Sequence, residues 1–193
     1  MQSYMNIIEY LPSSRHNPVL LNDKPSAWGD IPTLIGALIN DFQINPQFCL
    51  EFGVEYGYST SAFANYFNTV IGVDTFEGDI HSGFVDNHYD DTRKRLEKFS
   101  NVLLLKCKYQ DFISNEENII FDLVHIDIVH TYDDTFACGD WSLKRCNVVI
   151  FHDTESFEDV KRACVDLALK HNCTFYNYPH SNGLGILHRN TLL

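Results

Sequence analysis

Short, continuously apolar runs alternate along most of the chain with segments whose apolar residues have a helical spacing. Parallel strands that are buried on both faces have such continuous runs, and helices usually connect them. The alternation therefore predicts an α/β fold, a single doubly wound and mostly parallel sheet in one domain. The predicted strands are 48–52, 70–74, 102–105, 119–127 and 148–153, and the predicted helices include 61–67, 91–99, 132–143 and 157–168.

The C-terminal segment departs from this alternation. The apolar stretches 174–178 and 184–187 flank a turn that contains Pro179 and Asn182-Gly183. Two short strands around such a turn are typical of a hairpin. We therefore expect an antiparallel edge pair at the end of the sheet.

The N-terminal segment has a different composition. Residues 1–28 contain three prolines and scattered polar residues, which predicts an irregular arm before a domain of residues 29–193. From Ile31 to Phe42 the apolar residues are three or four positions apart, as on one face of a helix. Asp30 precedes this stripe and is the expected helix cap.

Acidic residues stand at or near the ends of several predicted strands: Glu51, Asp74, Asp127 and Asp153. In a parallel sheet these ends meet at one edge, where ligands bind in the crevice at the topological switch point. Acids in such positions also cap the helices that follow, which is the structural alternative for each one taken singly. Together they predict an acidic ligand site.

Charge and cysteine usage restrict the partners. The 193 residues include 26 acidic and 14 basic side chains, a net charge of -12, which disfavours nucleic acid and acidic membrane surfaces. The apolar runs are shorter than the ~20 residues of a membrane span. The six cysteines form no CxxC pair, which predicts reduced core residues and a cytoplasmic protein.

The segment after the first predicted strand limits the nucleotide-like ligand. Gly53 and Gly57 allow a tight turn into a helix, but the middle glycine of G-x-G-x-x-G is missing. Glu55 would place negative charge beside a pyrophosphate, and no phosphate-binding G-x-x-x-x-G-K-[ST] sequence occurs. S-adenosylmethionine has no phosphate, and its ammonium and sulfonium groups are attracted by acids. Glu55 therefore favours this cofactor over a dinucleotide.

The end of the second predicted strand fits the adenosine part of that cofactor. The two carboxylate oxygens of Asp74 can accept the two ribose hydroxyls, as the acid after the second strand does in nucleotide-binding sheets. Thr75 and Phe76 follow directly, and the ring of Phe76 is expected to pack on the adenine face.

Four sequence motifs resemble a known family. Glu51-Phe52-Gly53-Val54 through Gly57, together with Val73-Asp74-Thr75-Phe76-Glu77-Gly78, resemble class I S-adenosylmethionine-dependent methyltransferases of the macrocin O-methyltransferase type. Val124-His125-Ile126-Asp127-x-x-His130-x-Tyr132 and Phe151-His152-Asp153-Thr154 are similar to the group that includes cephalosporin-hydroxylase-like and catechol-type enzymes. The resemblance covers residues 47–185 and implies a Rossmann-like fold.

The resemblance also implies roles for individual residues. Asp127 and Asp153 would hold a divalent metal that binds a substrate hydroxyl, and His130 falls where the broader group has a general base. Asp127 would thus also be a catalytic residue. His152 would be a further metal ligand, at a position where the family often has a carboxylate. The cofactor-binding residues would be Glu51, Gly53, Glu55, Gly57 and Ser59 for the methionine part, Asp74, Thr75 and Phe76 for the adenosine, and Gln110 and Asp111 for the adenine edge.

These roles predict an O-methyltransferase that acts on a hydroxyl of a sugar or another small metabolite. Two carboxylates suit Mg²⁺, whereas the imidazole of His152 would shift the preference towards Mn²⁺, Fe²⁺ or Zn²⁺. The expected partner is the small-molecule acceptor, and related enzymes are often homo-oligomers. Residues 78–91, which include His81 and His88, have two interpretations: they form either a substrate lid or an ordinary surface loop.

Two other functions stay open. Ile128-Val129 replace the acidic or glycine residues usual in the family, and Cys146-Asn147 replace a usual Gly-Gly, which would suit a catalytically inactive binding protein. An NAD(P)-dependent oxidoreductase is the other alternative, although Glu55 disfavours it. Two of the site residues also have a purely structural alternative. His130 could simply lie exposed before a helix, and Asp153 could belong to the acidic first turn of the last helix.

Overall fold

The computed structural model describes residues 6–24, 26–79, 84–115 and 119–189. The strands are β1 Ile7–Glu9, β2 Phe48–Phe52, β3 Thr69–Asp74, β4 Gly78–Asp79, β5 Phe84–Val85, β6 Val102–Lys106, β7 Leu123–Ile126, β8 Val148–His152, β9 Cys173–Tyr178 and β10 Leu184–Arg189. The helices are α1 Ile35–Asp41, α2 Tyr58–Phe63, α3 Tyr89–Leu96, α4 Tyr109–Asn115, α5 Tyr132–Ser142 and α6 Glu158–His171.

Eight of these strands form one sheet in the order β1-β9-β10-β8-β7-β2-β3-β6. Strands β6, β3, β2, β7 and β8 are mutually parallel, which confirms the predicted Rossmann-like α/β sheet. Strand β10 runs antiparallel to both β8 and β9, which confirms the antiparallel C-terminal pair. The pair does not end the sheet, because β1 lies parallel to β9 at its outer side.

Helices cover both faces of the sheet, as a doubly wound fold requires. One face packs α1 and α2 against buried residues such as Leu38, Phe63 and Ile150. The other packs α4, α5 and α6 around Phe112, Trp141 and Leu167. Within the described part of the chain, no helix is long and apolar enough to cross a membrane.

The helix that follows the arm starts differently from the prediction. Residues Ile31–Leu34 form a 3-10 turn with a proline near its start, and α1 begins only at Ile35. The Asp30 side chain makes no capping hydrogen bond. Its carboxylate instead accepts hydrogen bonds from Arg15, Tyr178 and Ser181, so its oxygens are not available to cap the helix. The expectation that Asp30 caps the helix is therefore wrong.

The predicted arm is irregular over most of its described length but contributes β1 to the sheet. It also crosses the start of α2, where the Asn22 backbone N–H donates to Ser61 Oγ at 3.0 Å and Asn22 Nδ2 donates to the Tyr56 carbonyl at 2.5 Å. Residues 1–5 and 25 of the arm, and 80–83, 116–118 and 190–193 of the domain, lie outside the described residues. The boundary at residue 28 stays a prediction.

Helix α4 and the short strands β4 and β5 have no counterpart in the predicted pattern. Helix α4 buries only Phe112, so its sequence lacks the repeating apolar stripe that marks the other helices. Strands β4 and β5 pair antiparallel over two residues each. They fall in the predicted lid or loop segment, of which His81 lies outside the described residues.

Gly53 fixes the approach of two strand ends. Its φ is +88°, and a Cβ placed there would lie 1.7 Å from the Asp127 carbonyl oxygen. We expect Gly53→Ala to lower the free energy of unfolding by roughly 3 kcal/mol or more, because it adds backbone strain and a clash with main chain. Urea denaturation measures this loss.

A matched glycine provides the control. Gly36 lies inside α1, and its nearest neighbour would be a Tyr66 ring atom at 3.4 Å from the new Cβ. Alanine should therefore stabilise the helix there by about 0.5–1 kcal/mol. Similar effects of the two substitutions would contradict the role given to Gly53.

Candidate active site

A cavity of about 610 Å³ opens at the carboxyl ends of the parallel strands. Loops after β2, β3, β6, β7 and β8 line it, together with arm residues Ser26, Ala27 and Trp28. Most of the predicted site residues meet in it: Gly53, Glu55, Ser59, Asp74, Thr75, Gln110, Asp127, His130, His152 and Asp153. The geometric expectation that strand-end acids converge at one edge agrees with this arrangement.

The turn after β2 is held by the acid that ends β3. Asp74 Oδ2 accepts the backbone N–H groups of Val54 and Glu55 at 2.7 and 2.8 Å. Asp74 Oδ1 accepts the backbone N–H of Phe76 at 2.7 Å. Oδ1 also lies 3.5 Å from the Thr75 hydroxyl, at the limit of a hydrogen bond. A carboxylate has about four acceptor positions, so a ligand hydroxyl could replace this long contact at Oδ1, while Oδ2 is already occupied. Asp74 therefore shapes the turn as well as facing the cavity.

Glu51 and Gly57 lie behind the cavity wall. The Glu51 carboxylate is fully buried and accepts hydrogen bonds from the hydroxyls of Ser59 and Thr60. His125 Nδ1 lies 3.0 Å from the same carboxylate. Gly57 precedes α2 with φ +79°, and a Cβ there would lie 2.6 Å from the Leu96 side chain. Both residues support the turn from beneath instead of lining the cavity.

Two further predicted cofactor residues, Phe76 and Asp111, do not line the cavity either. The Phe76 ring is fully buried and packs against Tyr89, with ring centroids 4.9 Å apart, so it has no free face for adenine. Its φ of +55° turns the chain inward at this point. Asp111 is exposed on α4, and its neighbour Gln110 lines the cavity. These two placements correct the expectations for Phe76 and Asp111.

Two carboxylates and two imidazoles converge on the other side of the cavity. His130 Nε2 lies 2.9 Å from Asp153 Oδ2 and 3.5 Å from Asp127 Oδ1. His152 Nδ1 lies 3.2 Å from Asp127 Oδ2 and 3.4 Å from Asp153 Oδ2. We call Asp127, His130, His152 and Asp153 the acid–imidazole cluster.

Each imidazole of the cluster is held from behind. The His130 ring stacks on Phe157 at 4.1 Å and an interplanar angle of 10°. His152 Nε2 lies 3.0 Å from the Ser181 carbonyl oxygen, so this nitrogen carries the proton and donates it. His130 is largely buried two residues before α5, and Asp153 lies five residues before α6 with φ +65°. The structural alternatives of an exposed His130 and a first-turn Asp153 are therefore not realised.

Mutual attraction sets the charges of the cluster. Burial alone would raise the pKa of Asp127 and of Asp153, but the facing imidazoles outweigh it and hold both values below the usual range. Burial alone would lower the pKa of both histidines, yet the carboxylates raise it to about 9 for His130 and about 10 for His152. At neutral pH two negative and two positive charges therefore balance in the metal-free protein.

The raised histidine pKa values predict that stability depends on pH. A histidine with a folded pKa above its unfolded value of about 6.5 stabilises the fold fully below that pH, and this contribution is lost as pH rises through the folded pKa. For the metal-free protein we expect the free energy of unfolding to fall by roughly 6 kcal/mol between pH 7 and 10.5. Urea denaturation at several pH values measures it.

Variants separate this effect from other groups that titrate in alkali. His130→Gln should remove the part of the decrease centred near pH 9. The exposed His16 serves as the matched control, and His16→Gln should leave the profile unchanged. An unchanged profile in His130→Gln would contradict the assigned charges.

The donor atoms of the cluster fit a divalent cation. Asp127, His130 and Asp153 each offer one ligand atom, and these atoms lie within 4.8 Å of one another. Two carboxylate oxygens with imidazole nitrogen suit Mn²⁺, Fe²⁺ or Zn²⁺, and carboxylates with water suit Mg²⁺. The geometry thus places His130 with Asp127 and Asp153 in the candidate ligand set. His152 is not part of this set, and its role as a metal ligand stays a prediction.

Trp28 is a site residue that sequence reasoning missed. It belongs to the arm, is buried, and lines the cavity. Its ring centroid lies 4.8 Å from that of His125 and 6.0 Å from that of His152. An aromatic residue at the junction of an irregular arm and a helix was the available signal, but nothing in its spacing pointed to the sheet edge.

His88 and Lys108 also line the cavity. His88 is buried beside Tyr56, with ring centroids 4.7 Å apart, and its Nδ1 lies 3.0 Å from the Asp86 carbonyl. Lys108 is exposed after β6. His88 lies in the segment 78–91 that the sequence predicts as a substrate lid or a surface loop, whereas Lys108 lies in no motif that would distinguish it from other lysines.

A protein-family model described as a methyltransferase domain matches residues 50–154, more than half of the chain. The chain belongs to this methyltransferase family. The match runs from β2, before the glycine turn, to the residue after Asp153. The prediction of a class I S-adenosylmethionine-dependent methyltransferase is thus confirmed at the level of the family, while the macrocin or cephalosporin-hydroxylase type stays a prediction.

Solved structures share the fold of this methyltransferase. An O-methyltransferase from Bacillus cereus in complex with S-adenosylhomocysteine has a TM-score of 0.62 and 18% identity, covering 87% of this chain and 83% of that one. The O-methyltransferase TomG from Streptomyces achromogenes, involved in tomaymycin synthesis and solved with S-adenosylmethionine, has a TM-score of 0.63 and 15% identity, covering 90% and 93%. At these identities the likeness supports the fold alone.

One curated relative is a much longer protein. The uncharacterised protein y4gI of Sinorhizobium fredii is 29% identical over 160 residues, which covers 75% of this chain and 17% of the relative. The chain therefore spans about a sixth of the length of the curated relative that it matches. This match supplies no substrate for the methyltransferase domain.

Proposed function

We propose that the protein is an S-adenosylmethionine-dependent O-methyltransferase that acts on a hydroxyl of a sugar or another small metabolite. The observation that carries the proposal is the acid–imidazole cluster, which shares one cavity with Asp74 and the glycine turn after β2. A methyltransferase must align a methyl donor with an acceptor and manage the acceptor proton. The two sides of this cavity suit those two tasks.

The turn side suits the cofactor. Asp74 Oδ1 has capacity for a ribose hydroxyl, and Gln110 lines the cavity after β6 for the adenine edge. Glu55 lines the cavity too, and burial together with the charge of Asp127 raises its pKa. An acidic wall attracts the ammonium and sulfonium of S-adenosylmethionine, which supplies the methyl group, and repels a pyrophosphate. The carboxylates therefore favour this cofactor over NAD(P).

The cluster side suits the acceptor hydroxyl. His130 Nε2 faces the cavity between two carboxylates and is the proposed site that takes the acceptor proton. The imidazole must be neutral for this role, so the rate should increase with pH as His130 loses its proton. Asp127, Asp153 and an imidazole of the cluster would hold a divalent metal, which would stabilise the negative charge of the acceptor oxygen.

The convergence of these groups weighs against an inactive binding protein. A protein that had lost catalysis would have no need to keep two carboxylates against two imidazoles beside the cofactor wall. Ile128 and Val129 line the same cavity, where they supply apolar contacts without displacing the charged groups. The proposed acceptor is thus a small molecule with an apolar portion next to its hydroxyl.

Methyl transfer to a panel of small acceptors tests the proposal. S-adenosylmethionine with a labelled methyl group is incubated with sugars, glycosides and phenols, with added Mg²⁺ or Mn²⁺ and with a chelator. We expect label in at least one hydroxyl acceptor and loss of transfer in chelator. Cofactor binding without transfer to any acceptor would favour the inactive binding protein, and binding of NADH instead would favour the oxidoreductase.

A further inference from the structure

The turn between β9 and β10 reaches over the acid–imidazole cluster. Strand β10 lies antiparallel to β8, with Leu184 opposite His152, so the turn that precedes β10 lies next to that histidine. Its residue Ser181 supplies the carbonyl oxygen that accepts the His152 Nε2 proton at 3.0 Å. The position of this carbonyl therefore decides which way the imidazole presents its second nitrogen.

The backbone of this turn has a conformation that most of its residues do not prefer. Ser181, Asn182 and Gly183 have φ values of +52°, +65° and +93°, a left-handed conformation that only glycine adopts readily. One hydrogen bond within the turn, from the Gly183 backbone N–H to the His180 carbonyl at 2.9 Å, helps to hold it, and contacts from outside the turn fix it further. One of them is the Glu155 backbone N–H, which donates to the Asn182 carbonyl at 2.8 Å.

The second contact comes from Asp30, at the junction of the arm and the first helical turn. Ser181 Oγ donates to Asp30 Oδ1 at 2.6 Å, and the Asp30 backbone N–H lies 3.2 Å from the same hydroxyl. The backbone comes this close because Gly29 has no side chain: a Cβ there would lie 2.5 Å from Ser181 Oγ. Asp30 therefore makes two hydrogen bonds to the Ser181 hydroxyl, one through its side chain and one through its main chain.

The other oxygen of Asp30 is fixed independently. Asp30 Oδ2 accepts hydrogen bonds from Arg15 Nη1 at 2.6 Å and from the Tyr178 hydroxyl at 2.5 Å. Arg15 Nη2 also donates to the Tyr178 hydroxyl at 2.8 Å. These contacts orient the carboxylate independently of Ser181, and Oδ1 is then available for the hydrogen bond from the Ser181 hydroxyl.

We propose that Asp30 is a positioning residue for the acid–imidazole cluster, acting through Ser181. It holds the Ser181 carbonyl in place, the carbonyl takes the Nε2 proton of His152, and Nδ1 of His152 is thereby directed at Asp127 and Asp153. In metal sites such a carbonyl partner sets the orientation of the ligand imidazole. The consequence for the reaction rests on the proposed function, whereas the orientation of His152 does not.

Two variants test the inference, and one arm-to-core hydrogen bond serves as the control. Asp30→Ala removes the carboxylate that accepts the hydrogen bond from the Ser181 hydroxyl. Ser181→Gly keeps the carbonyl and removes the CH2OH side chain that contacts Asp30, and glycine suits φ +52°, so this variant should fold even if Asp30→Ala does not. Tyr10→Phe removes the hydrogen bond from the Tyr10 hydroxyl to Asp41, 2.8 Å long, which also ties the arm to the core.

The first measurement is the exchange of the His152 Nε2 proton with water, by ¹⁵N NMR of the metal-free protein. We expect at least tenfold faster exchange in Ser181→Gly and in Asp30→Ala, with no lower melting temperature in Ser181→Gly. Tyr10→Phe should melt earlier and keep the wild-type exchange. Wild-type exchange in Ser181→Gly, or an unprotonated Nε2 in the wild type, would overturn the inference.

The second measurement is the affinity for Mn²⁺ alone, by titration calorimetry. Loss of an outer partner of a metal ligand typically weakens binding 10- to 100-fold, and we expect at least tenfold weaker binding in Ser181→Gly than in Tyr10→Phe. Equal affinities in these two variants would overturn the inference. If the wild type binds no Mn²⁺, the proposed metal fails, and the proton exchange alone decides the role of Asp30.

Discussion

Replacement of Asp74 by alanine is expected to weaken the binding of S-adenosylhomocysteine at least 100-fold. The substitution removes a charged acceptor for the ribose, worth about 1.5–3 kcal/mol per hydrogen bond. It also frees the backbone N–H groups of Val54, Glu55 and Phe76, which Asp74 holds at 2.7 to 2.8 Å. The turn that surrounds the cofactor would therefore loosen, and the free energy of unfolding should fall by roughly 2–4 kcal/mol.

A second aspartate separates the two effects. Asp122 Oδ2 accepts the Phe48 backbone N–H at 2.8 Å, at the opposite end of β2. Asp122→Ala should reduce stability and leave the affinity for S-adenosylhomocysteine unchanged, as calorimetry can determine. Asp74→Asn, which keeps one acceptor oxygen, provides an intermediate case if Asp74→Ala does not fold. Wild-type affinity in a folded Asp74→Ala protein would contradict the role of Asp74.

Replacement of His130 by alanine is expected to leave cofactor affinity within about threefold and to reduce methyl transfer by about 10²- to 10⁴-fold, the usual contribution of a general base. His130 Nε2 faces Asp127 and Asp153, whereas Asp74 holds the turn after β2. Comparison of kcat with the dissociation constant of S-adenosylhomocysteine measures the two effects separately.

The pH profile adds a readout that a structural role would not change. In the wild type kcat should rise with pH as His130 loses its proton, and this dependence should disappear in His130→Ala. His16→Ala, at an exposed position, should keep the wild-type rate and profile. Equal losses of binding and turnover in His130→Ala would refute the assignment of His130 to the acceptor side.

The convergence of distant residues on one cavity was predictable because it follows from a few local features. Apolar runs that end in Asp74, Asp127 or Asp153 place those acids at the same edge of any parallel sheet, whatever the details of packing. The glycines of the turn after β2 required no tertiary information either, since a strand must turn sharply there to enter a helix. These features depend on chain order and local geometry.

Other parts depend on contacts that no local pattern encodes. Glu51 ends inside the wall because the hydroxyls of Ser59 and Thr60 meet its carboxylate there. Phe76 turns inward because its φ is +55° and Tyr89 packs against it. Both residues stand next to functional positions in the sequence, where neighbouring side chains point in different directions.

The arm shows the same limit at a larger scale. Asp30 looked like a helix cap, because an aspartate before an apolar stripe usually is one. Its carboxylate is instead taken by Arg15, Tyr178 and Ser181, and the last two lie about 150 residues away, at 148 and 151 positions along the chain. Trp28 reaches the cavity by the same folding-back of the arm.

Titration calorimetry of the wild-type protein with S-adenosylhomocysteine tests the central claim most directly, because it needs neither the acceptor nor a metal. The cavity, the acidic wall and the Asp74 turn predict one binding site with a submillimolar dissociation constant and no measurable heat with NADH. No binding of S-adenosylhomocysteine at submillimolar concentration would contradict the account.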